Sequence, residues 1–300
     1  MALQRKPFRL KLPSRTLVLG ERTLVMGVLN VTPDSFSDGG KFLNANCAVE
    51  HARAMERGGA DLLDIGGEST RPGSSGTSDE EELARVMPVL EGLRGALKIP
   101  ISIDTQKLEV AEAALEAGAE IINDISGLRS DRRLAELAAR RKVPLILMHM
   151  RGEPRTMQKG PFARDVIKDV TRGLRESIGL ARKGGVAKSQ IILDPGIGFG
   201  KSYAQNYELL QKLGELAKLG YPLLVGPSRK GFLGATLARD GKPTAPEERL
   251  WGTAATVTAS ILNGAHIVRV HDVAEMVQVA RVADFLVNPS LRPSLSNPTS

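Results

Sequence analysis

Residues 23–30 read TLVMGVLN, an apolar run that ends in the polar side chain of Asn30. The same pattern recurs seven times farther along the chain, each time as a short apolar segment that ends in polar residues. These segments are DLLDIGGES (61–69), IPISIDT (99–105), EIINDI (120–125), PLILMHM (144–150), QIILDPG (190–196), PLLVGPSRK (222–230) and HIVRVH (266–271). Such runs, with little alternation, are typical of strands that are buried on both faces of a parallel sheet.

Segments with helical periodicity lie between the apolar runs. They cover residues 44–58, 79–97, 107–117, 130–141, 162–183, 203–219, 246–263 and 272–283. Strands that alternate with helices predict the α/β class. An open doubly wound sheet would concentrate ligand groups near one switch point, whereas here every strand ends in polar residues. We therefore expect a single (β/α)8 TIM barrel with one active site at the C-terminal ends of its strands.

The barrel is expected to occupy residues 23–287. Residues 1–22 precede the eight units, and we expect their FRLKL and TLVLG segments to form a short hairpin over the bottom of the barrel. The tail, residues 288–300, is rich in Pro and Ser and has the composition of a disordered segment. No sequence between these limits resembles a linker between domains.

The composition excludes several classes of protein. The 300 residues are 42% hydrophobic, which is enough for a large core. Cys47 is the only cysteine, so no disulfide framework or cysteine-based metal site is expected, and we interpret Cys47 as a small buried residue. No stretch approaches the roughly 20 apolar residues of a membrane span. The N-terminus lacks the apolar core of a signal peptide, and we expect a cytoplasmic protein.

The net charge of +7 requires that nucleic-acid binding be considered. The basic residues are dispersed, however, and the few aromatic residues do not interleave with them as a stacking platform would. We therefore interpret the charge first as a solvated surface and second as a field that attracts small anionic substrates. Nucleic acid is not expected as a partner.

Charged and amide side chains follow four of the predicted strands: Asp104, Asn123, Asp194 and Lys230. Buried charges at strand ends are costly unless they are paired or bind a ligand. One explanation is an internal ion pair, such as Asp194 with Lys230. The other is a flat heterocycle with both donors and acceptors, such as an aminopyrimidinone, whose adjacent N–H groups can donate to a carboxylate.

The first two loops contain groups that suit an anion and its metal. The loop 30–40, NVTPDSFSDGG, begins with Asn30, whose carbonyl oxygen can bind a hard cation. Mg²⁺ prefers few protein ligands together with phosphate oxygens from a substrate. The loop 64–76, DIGGESTRPGSSG, presents Arg71, whose planar guanidinium matches phosphate or carboxylate oxygens.

The last strand ends in Arg269 and His271, which are two residues apart and therefore point the same way in an extended strand. Together they fit an anionic leaving group. We interpret the glycines of 194–201, DPGIGFGK, as positions where the backbone approaches a ligand, with Phe199 as an apolar wall. For His149 two interpretations stay open, a place in the site or a structural role.

These motifs closely resemble those of the dihydropteroate synthase family over about residues 24–285, and VLNVTPDSFSDGG and DIGGESTRPG are the most specific of them. The resemblance implies that 6-hydroxymethyl-7,8-dihydropterin pyrophosphate is joined to p-aminobenzoate, with release of pyrophosphate, in folate synthesis. It also implies a Mg²⁺ cofactor, sulfonamides as inhibitors, and a homodimer that contacts through the outer helices of the later units.

The resemblance implies roles for individual residues. The pterin pocket would consist of Asp104, Asn123, Met148, Asp194, Phe199 and Lys230. The pyrophosphate site would consist of Asn30, which also binds the metal, with Thr70, Arg71, Arg269 and His271. The aminobenzoate site and its loops would contain Ser35, Phe36, Asp38, Pro72, Ser228 and Gly231. Catalytic roles would fall to Asp104, Lys230, Arg269 and His271. Gly231 stands where many members have Ser, so backbone N–H groups would have to bind the aminobenzoate carboxylate.

The sequence offers no Ser–His pair or activated cysteine, so we expect direct displacement, with ionisation of the C–O bond before the amine attacks. Two alternatives remain open. A pterin-dependent methyltransferase domain would have less use for Arg269 and His271. A non-catalytic pterin-binding homologue would be expected to lack Asn30, Arg71 or Lys230, and all three are present.

Overall fold

The computed structural model describes residues 5–32, 41–69, 76–153, 155–288 and 291. The strands in these ranges are β1 (Phe8–Lys11), β2 (Thr16–Leu19), β3 (Leu24–Asn30), β4 (Leu62–Gly66), β5 (Ile101–Asp104), β6 (Ile121–Asp124), β7 (Leu145–Met148), β8 (Ile191–Asp194), β9 (Leu224–Val225) and β10 (Ile267–Val270). The α-helices are α1 (Lys41–Arg57), α2 (Asp79–Leu93), α3 (Leu108–Glu116), α4 (Arg133–Arg141), α5 (Val166–Lys183), α6 (Tyr203–Gln211), α7 (Leu213–Ala217), α8 (Gly231–Thr236), α9 (Leu250–Leu262) and α10 (Val273–Val287).

Eight strands form a parallel sheet in the order β8-β7-β6-β5-β4-β3-β10-β9. Its two edges meet where Leu193 and Leu223 form a parallel bridge. There the backbone N–H of Leu193 also donates to the carbonyl of Pro222 at 3.0 Å. The edges of the sheet therefore pair with each other, and the predicted barrel is confirmed over the open-sheet alternative.

Side-chain alternation along the strands divides the barrel interior into two layers. The lower layer is apolar and includes Leu62, Ile121, Ile192 and Ile267. The inward-facing residues two positions later are polar, namely Asp64, Asn123, Asp194 and Arg269. An apolar floor therefore supports a ring of charged and amide groups at the C-terminal ends of the strands, which is where barrel enzymes place their active sites.

The hairpin of β1 and β2 closes the opposite end of the barrel, as the sequence predicted. Leu10, Leu12 and Leu19 are buried in the same apolar cluster as the lower barrel interior. The two strands pair antiparallel, with Phe8 opposite Leu19. The bottom of the barrel is therefore filled by side chains of the chain's own N-terminal segment.

The helices follow the predicted pattern with local differences. The segment predicted as one helix over 203–219 is divided at Lys212 into α6 and α7. Helix α8 was not predicted, because its six residues, GFLGAT, include two glycines of low helix propensity. Of the tail, residues 289–290 and 292–300 lie outside the described residues. Among the described helices, none is both long and apolar enough to span a membrane.

The interpretation of Cys47 as a buried residue was wrong, because it is exposed on α1. The core-facing side of that helix is formed by Ala48, Ala52 and Met55, which recur at helical spacing and are buried. Cys47 precedes this stripe by one position and therefore lies on the outer surface.

A buried ion pair joins the N-terminal segment to the last helix. Arg5 Nη2 donates to Asp284 Oδ1 at 2.6 Å, and the two side chains are 1% and 6% exposed. Asp284 also accepts from the backbone N–H and the hydroxyl of Thr23, both at 2.7 Å. The carboxylate is therefore fully engaged in a dry environment.

We expect Asp284→Asn to lower the free energy of unfolding by about 3–5 kcal/mol, because it leaves the Arg5 cation buried without a counter-charge. Urea denaturation monitored by circular dichroism measures this loss. The matched control is Glu50→Gln, which removes an exposed pair with Arg53 and should cost less than about 1 kcal/mol. Equal losses in the two variants would contradict a special role for the buried pair.

Candidate active site

Four side chains from four strands form a hydrogen-bonded group at the C-terminal mouth of the barrel. Arg269 Nε donates to Asp64 Oδ2 at 2.6 Å, and Arg269 Nη2 donates to Asp104 Oδ2 at 2.7 Å. The amide of Asn123 donates to the same Asp64 oxygen at 2.9 Å. We call Asp64, Asp104, Asn123 and Arg269 the mouth cluster. Residues up to 205 positions apart in sequence thus meet in one cavity.

The electrostatics of the mouth cluster are those of a site prepared for a hydrogen-bonding ligand. Asp64 is fully buried, and its Oδ1 has no hydrogen-bond partner among the described residues. Burial raises the pKa of Asp104, although the charge of Arg269 opposes this shift. Burial disfavours the Arg269 cation, but Asp64 and Asp104 outweigh it and raise its pKa. The cluster thus keeps a permanent cation between two carboxyl groups, one of which has an unused acceptor.

Asp194, at the end of β8, faces the same mouth. Its Oδ1 accepts from the backbone N–H of Gly196 at 2.7 Å. Burial raises the pKa of Asp194 to about 6, although that hydrogen bond opposes the shift. Asp194 is therefore a carboxylate at neutral pH that gains a proton under mildly acidic conditions.

Lys230 lies over the ring of Phe199, with Nζ 4.1 Å from the ring centroid. This contact is a cation–π interaction. Lys230 and Asp194 do not form an ion pair, so the internal ion pair that was one explanation of the two charges is not found. Burial, followed by the charge of Arg269, lowers the pKa of Lys230 to about 8. The ammonium is therefore held near the mouth by an apolar surface and can still donate its hydrogen bonds to a ligand.

An apolar patch adjoins these charges. Met148 and Phe199 pack with Ile125, Met150 and Met157 in a cluster of buried side chains. Met148 is the register partner of Asp194 on the neighbouring strand. A flat ring that reached the carboxylates would therefore meet thioether and phenyl surface.

Ser228 and His271 form a hydrogen-bonded pair, so the expectation that the chain offers no Ser–His pair was wrong. Ser228 Oγ accepts from the backbone N–H of His271 at 3.2 Å and lies 3.0 Å from its Nδ1. Ser228 Oγ accepts from the backbone N–H, so its hydroxyl hydrogen can be donated to His271 Nδ1. Nδ1 is then an acceptor, and we assign the imidazole proton to Nε2. Burial, followed by the charge of Arg269, lowers the pKa of His271 to about 3. The ring is therefore a neutral donor and too weak a base to activate the serine as a nucleophile.

His149 faces away from the mouth. Its Nε2 lies 3.7 Å from Asp169 Oδ2 on α5, and Gly173 of the same helix leaves room for its ring. Its Nδ1 lies 3.1 Å from Nζ of the buried Lys201. Of the two interpretations left open for His149, the structure supports the structural one.

The glycines after β8 have a packing role that the sequence did not indicate. A Cβ at Gly196 would lie 1.9 Å from the carbonyl oxygen of His149, and one at Gly200 would lie 2.1 Å from that of Arg151. Both glycines also have positive φ, +68° and +66°. They allow the loop after β8 to pack on the backbone after β7, which was not predicted, whereas Gly198 lies against the side chain of Lys230.

The remaining predicted residues lie at the same end of the barrel or outside the described part. Asn30 ends β3 and is half-buried opposite Gly66 of β4. Gly231 begins α8 directly after Lys230, and a Cβ there would meet no atom within 4 Å. Packing does not therefore demand glycine at this position. The loop residues outside the described part are Ser35, Phe36, Asp38, Thr70, Arg71 and Pro72.

Two residues near the mouth had no assigned role in the sequence analysis. Asp64 was recognised as polar, but its partnership with Arg269 and Asn123 was missed. The spacing offered a signal, because Asp64 follows the inward Leu62 by two positions and must share its face. Lys201 was read as the end of a glycine loop, and no local pattern indicated that it is buried.

The chain matches the family model described as pterin binding enzyme over residues 26–271. It is 52% identical to the dihydropteroate synthase of Synechocystis, over 89% of this chain and 91% of the relative. The solved structure of Xanthomonas albilineans dihydropteroate synthase with 4-aminobenzoic acid is 43% identical, with a TM-score of 0.87, and the match covers 96% of this chain and 100% of that chain.

A second solved structure, Yersinia pestis dihydropteroate synthase in complex with a sulfonamide drug, is 43% identical with a TM-score of 0.86. The match covers 93% of this chain and 99% of that chain. The family match, the identity to relatives over nearly their whole length and the polar mouth of the barrel agree. The chain therefore belongs to the dihydropteroate synthase family of pterin-binding transferases.

Proposed function

We propose that this chain condenses 6-hydroxymethyl-7,8-dihydropterin pyrophosphate with p-aminobenzoate to give 7,8-dihydropteroate and pyrophosphate, as a step of folate biosynthesis. The observation that carries the proposal is the mouth cluster with Asp194 and Lys230 beside it. These groups supply buried acceptors, a permanent cation and a donor around one opening, in a chain whose relatives perform this reaction. Because the chain has a single cysteine, which is exposed and unpaired, we place the reaction in the reducing cytoplasm.

The pterin ring is assigned to the depth of the mouth. Asp194 accepts from adjacent N–H groups of the aminopyrimidinone edge, while Asp104 and Asn123 face the rest of the ring. Lys230 donates to the ring carbonyl, and Met148 and Phe199 supply apolar surface. Each buried charge thereby gains a partner, which removes the cost of leaving it unsatisfied.

The diphosphate is assigned to the outer part of the mouth, with Arg269 as its permanent cation. His271 donates from Nε2, because Ser228 occupies Nδ1 and the ring is neutral at physiological pH. Asn30, together with the predicted Thr70 and Arg71, completes this site. Charge that develops on the departing oxygen is stabilised by donors that are already oriented, which is the most effective form of electrostatic catalysis.

Magnesium is assigned to the substrate diphosphate, with Asn30 as the protein ligand. Among the described residues, no three His, Cys, Asp or Glu side chains form a group that could hold a metal ion. A single amide oxygen fits an ion that takes most of its ligands from water and phosphate. When bound, it neutralises charge on the leaving group.

The reaction is a displacement at the exocyclic methylene. The C–O bond breaks first, and its electron pair leaves with the diphosphate. The pterin delocalises the resulting positive charge, which faces the carboxyl group of Asp104. The aminobenzoate nitrogen then forms the C–N bond and loses one proton. Ser228 does not act as the nucleophile, because the imidazole of His271 is too weak a base to remove its proton. The serine hydroxyl only donates a hydrogen bond to His271.

The aminobenzoate is assigned to the space beside Phe199, Lys230 and Ser228, with Ser35, Phe36, Asp38 and Pro72 as predicted loop contributors. The absence of a side chain at Gly231 leaves the backbone N–H groups that begin α8 for its carboxylate. A methyltransferase domain or a non-catalytic homologue would not release pyrophosphate from the two substrates. An assay for pyrophosphate release therefore distinguishes both from the proposed enzyme.

We expect Arg269→Ala to weaken the binding of magnesium pyrophosphate by about 30-fold or more, equivalent to about 2 kcal/mol, because it removes a buried charge partner. Isothermal titration calorimetry measures the change. Arg172→Ala is the control, since Arg172 is a largely exposed arginine paired with Asp169 on α5. Unchanged pyrophosphate binding in Arg269→Ala would remove this residue from the leaving-group site.

We expect Asp194→Asn to weaken the binding of 6-hydroxymethylpterin by about 30-fold or more. In the native protein the same affinity should fall as the pH drops through about 6, because a pKa raised to about 6 means that Asp194 gains its proton there and loses an acceptor. Fluorescence titration between pH 5 and pH 8 tests both expectations. The surface variant Glu215→Gln should behave as the native protein, and retained affinity in Asp194→Asn would refute the assignment.

We also propose that the chain forms a homodimer through α6, α9 and α10. Of the seven large apolar side chains exposed in the described residues, five lie on these helices: Tyr203, Tyr207, Trp251, Val282 and Leu286. Trp251 alone is 79% exposed. Exposed apolar surface of this kind is typical of protein–protein contacts.

We expect Trp251→Glu to shift the protein from dimer to monomer, because a carboxylate cannot be buried without a partner. Sedimentation velocity at micromolar concentration measures the change. Val18→Glu, which alters an exposed apolar residue of the hairpin, should leave the sedimentation coefficient unchanged. A native protein that sediments as a monomer would contradict the dimer.

A further inference from the structure

Lys201 is a buried lysine that the proposed reaction does not use. The residue is 2% exposed, and the strand-end loops around it contain the groups assigned to the pterin. Its Nζ donates to the carbonyl oxygens of Phe199 at 2.9 Å and His149 at 3.0 Å, and lies 3.1 Å from His149 Nδ1. Among the described residues, no carboxylate lies within ion-pair distance of it. Burial lowers the pKa of Lys201 to about 7, so its charged form is costly to bury. A polar group in such a place requires a reason beyond packing.

The ammonium lies between two loops and bonds to both. The carbonyl of His149 belongs to the segment after β7, and the carbonyl of Phe199 belongs to the segment after β8. The backbones are already in close contact, because Gly196 and Gly200 press on the carbonyls of His149 and Arg151. Lys201 therefore joins the loop after β8 to the segment after β7 through hydrogen bonds to both.

The opposite face of the same loop holds groups assigned to the substrates. The N–H of Gly196 orients Asp194, and the ring of Phe199 supports the ammonium of Lys230. Within the loop, the N–H of Phe199 donates to the carbonyl of Gly196 at 3.1 Å. A displacement of the Phe199 carbonyl would therefore move both Asp194, the acceptor of the pterin pocket, and Lys230, its donor.

Lys201 and His149 together form an anchor for the loop after β8, in which His149 lies on the side of α5. Its Nδ1 faces Lys201, so the ring presents Nε2 to Asp169, whose carboxylate is also bound by Arg151 and Arg172. Burial, followed by the charge of Lys201, lowers the pKa of His149 to about 2. The ring is therefore neutral and serves Lys201 as an acceptor across the physiological range.

We infer that Lys201, with His149 as its acceptor, is a positioning residue that sets the loop carrying Phe199 and orienting Asp194, and thereby sets affinity for the pterin ring. The inference rests on the proposed function for the identity of the ring. It assigns no contact between Lys201 and a substrate. Because the diphosphate groups Arg269 and His271 lie on β10 and its end, their site does not depend on this anchor.

The test compares two ligands in Lys201→Met, a variant of similar length without charge or donors. We expect affinity for 6-hydroxymethylpterin to fall about tenfold or more, because a displaced loop would misalign the hydrogen bonds that Asp194 and Lys230 make with the ring. Affinity for magnesium pyrophosphate should stay within about twofold, as for an independent site. Fluorescence titration and calorimetry give the two constants. The surface variant Lys218→Met is the control, because Lys218 pairs with Glu215 in solvent.

Two results would overturn the inference: unchanged pterin affinity in folded Lys201→Met, or an equal loss for both ligands, which would indicate general destabilisation. If that variant does not fold, His149→Asn and His149→Leu decide. Asn keeps an acceptor near the position of Nδ1, so it should retain pterin affinity while Leu loses it; equal behaviour overturns the inference. All readouts are equilibrium binding, so a native protein that binds pterin without releasing pyrophosphate from substrates counts against the proposed function alone.

Discussion

The guanidinium of Arg269 is the group on which the arrangement of the mouth depends. It lies between Asp64 and Asp104, which come from two other strands, and its charge permits both carboxyl groups to be buried close together. Burial already raises the pKa of Asp104, and the charge of Arg269 opposes that shift. Without Arg269 the pKa of Asp104 would rise further, and this group would be neutral where an acceptor is required. A buried ion network of this type contributes little net stability, so its presence is better explained by binding than by folding.

Side-chain alternation along the strands places the stabilising apolar residues and the polar residues of the site in different layers of the barrel interior. Lower inward positions are apolar and pack against leucines of the hairpin, while the next inward positions are charged or amide groups. The unfavourable free energy of burying the polar layer is therefore offset by the apolar core, which extends outside and below that layer. The loops after β7 and β8 add a second support, because their backbones interlock through glycines and the ammonium of Lys201.

Much of the fold could be predicted from sequence because it depends on local patterns. Apolar runs identified all eight barrel strands, and strand ends identified Asp104, Asn123, Asp194, Lys230, Arg269 and His271. What could not be predicted depends on pairing between distant segments. Arg269 finds Asp64 across 205 residues, and Ser228 finds His271 across 43. Neither partner is specified by spacing along one strand, and the burial of Lys201 depends on how two loops pack.

The hairpin that fills the barrel bottom has a consequence for the order of events in turnover. Among the described residues, Leu10, Leu12 and Leu19 fill the lower end of the barrel, so substrates of the proposed reaction would enter and leave at the mouth. If the ring occupies the deepest positions as proposed, it would bind before the aminobenzoate that covers it, and the joined product would leave after the diphosphate. On the proposed assignment, the closed lower end of the barrel would therefore impose an order on substrate binding and product release.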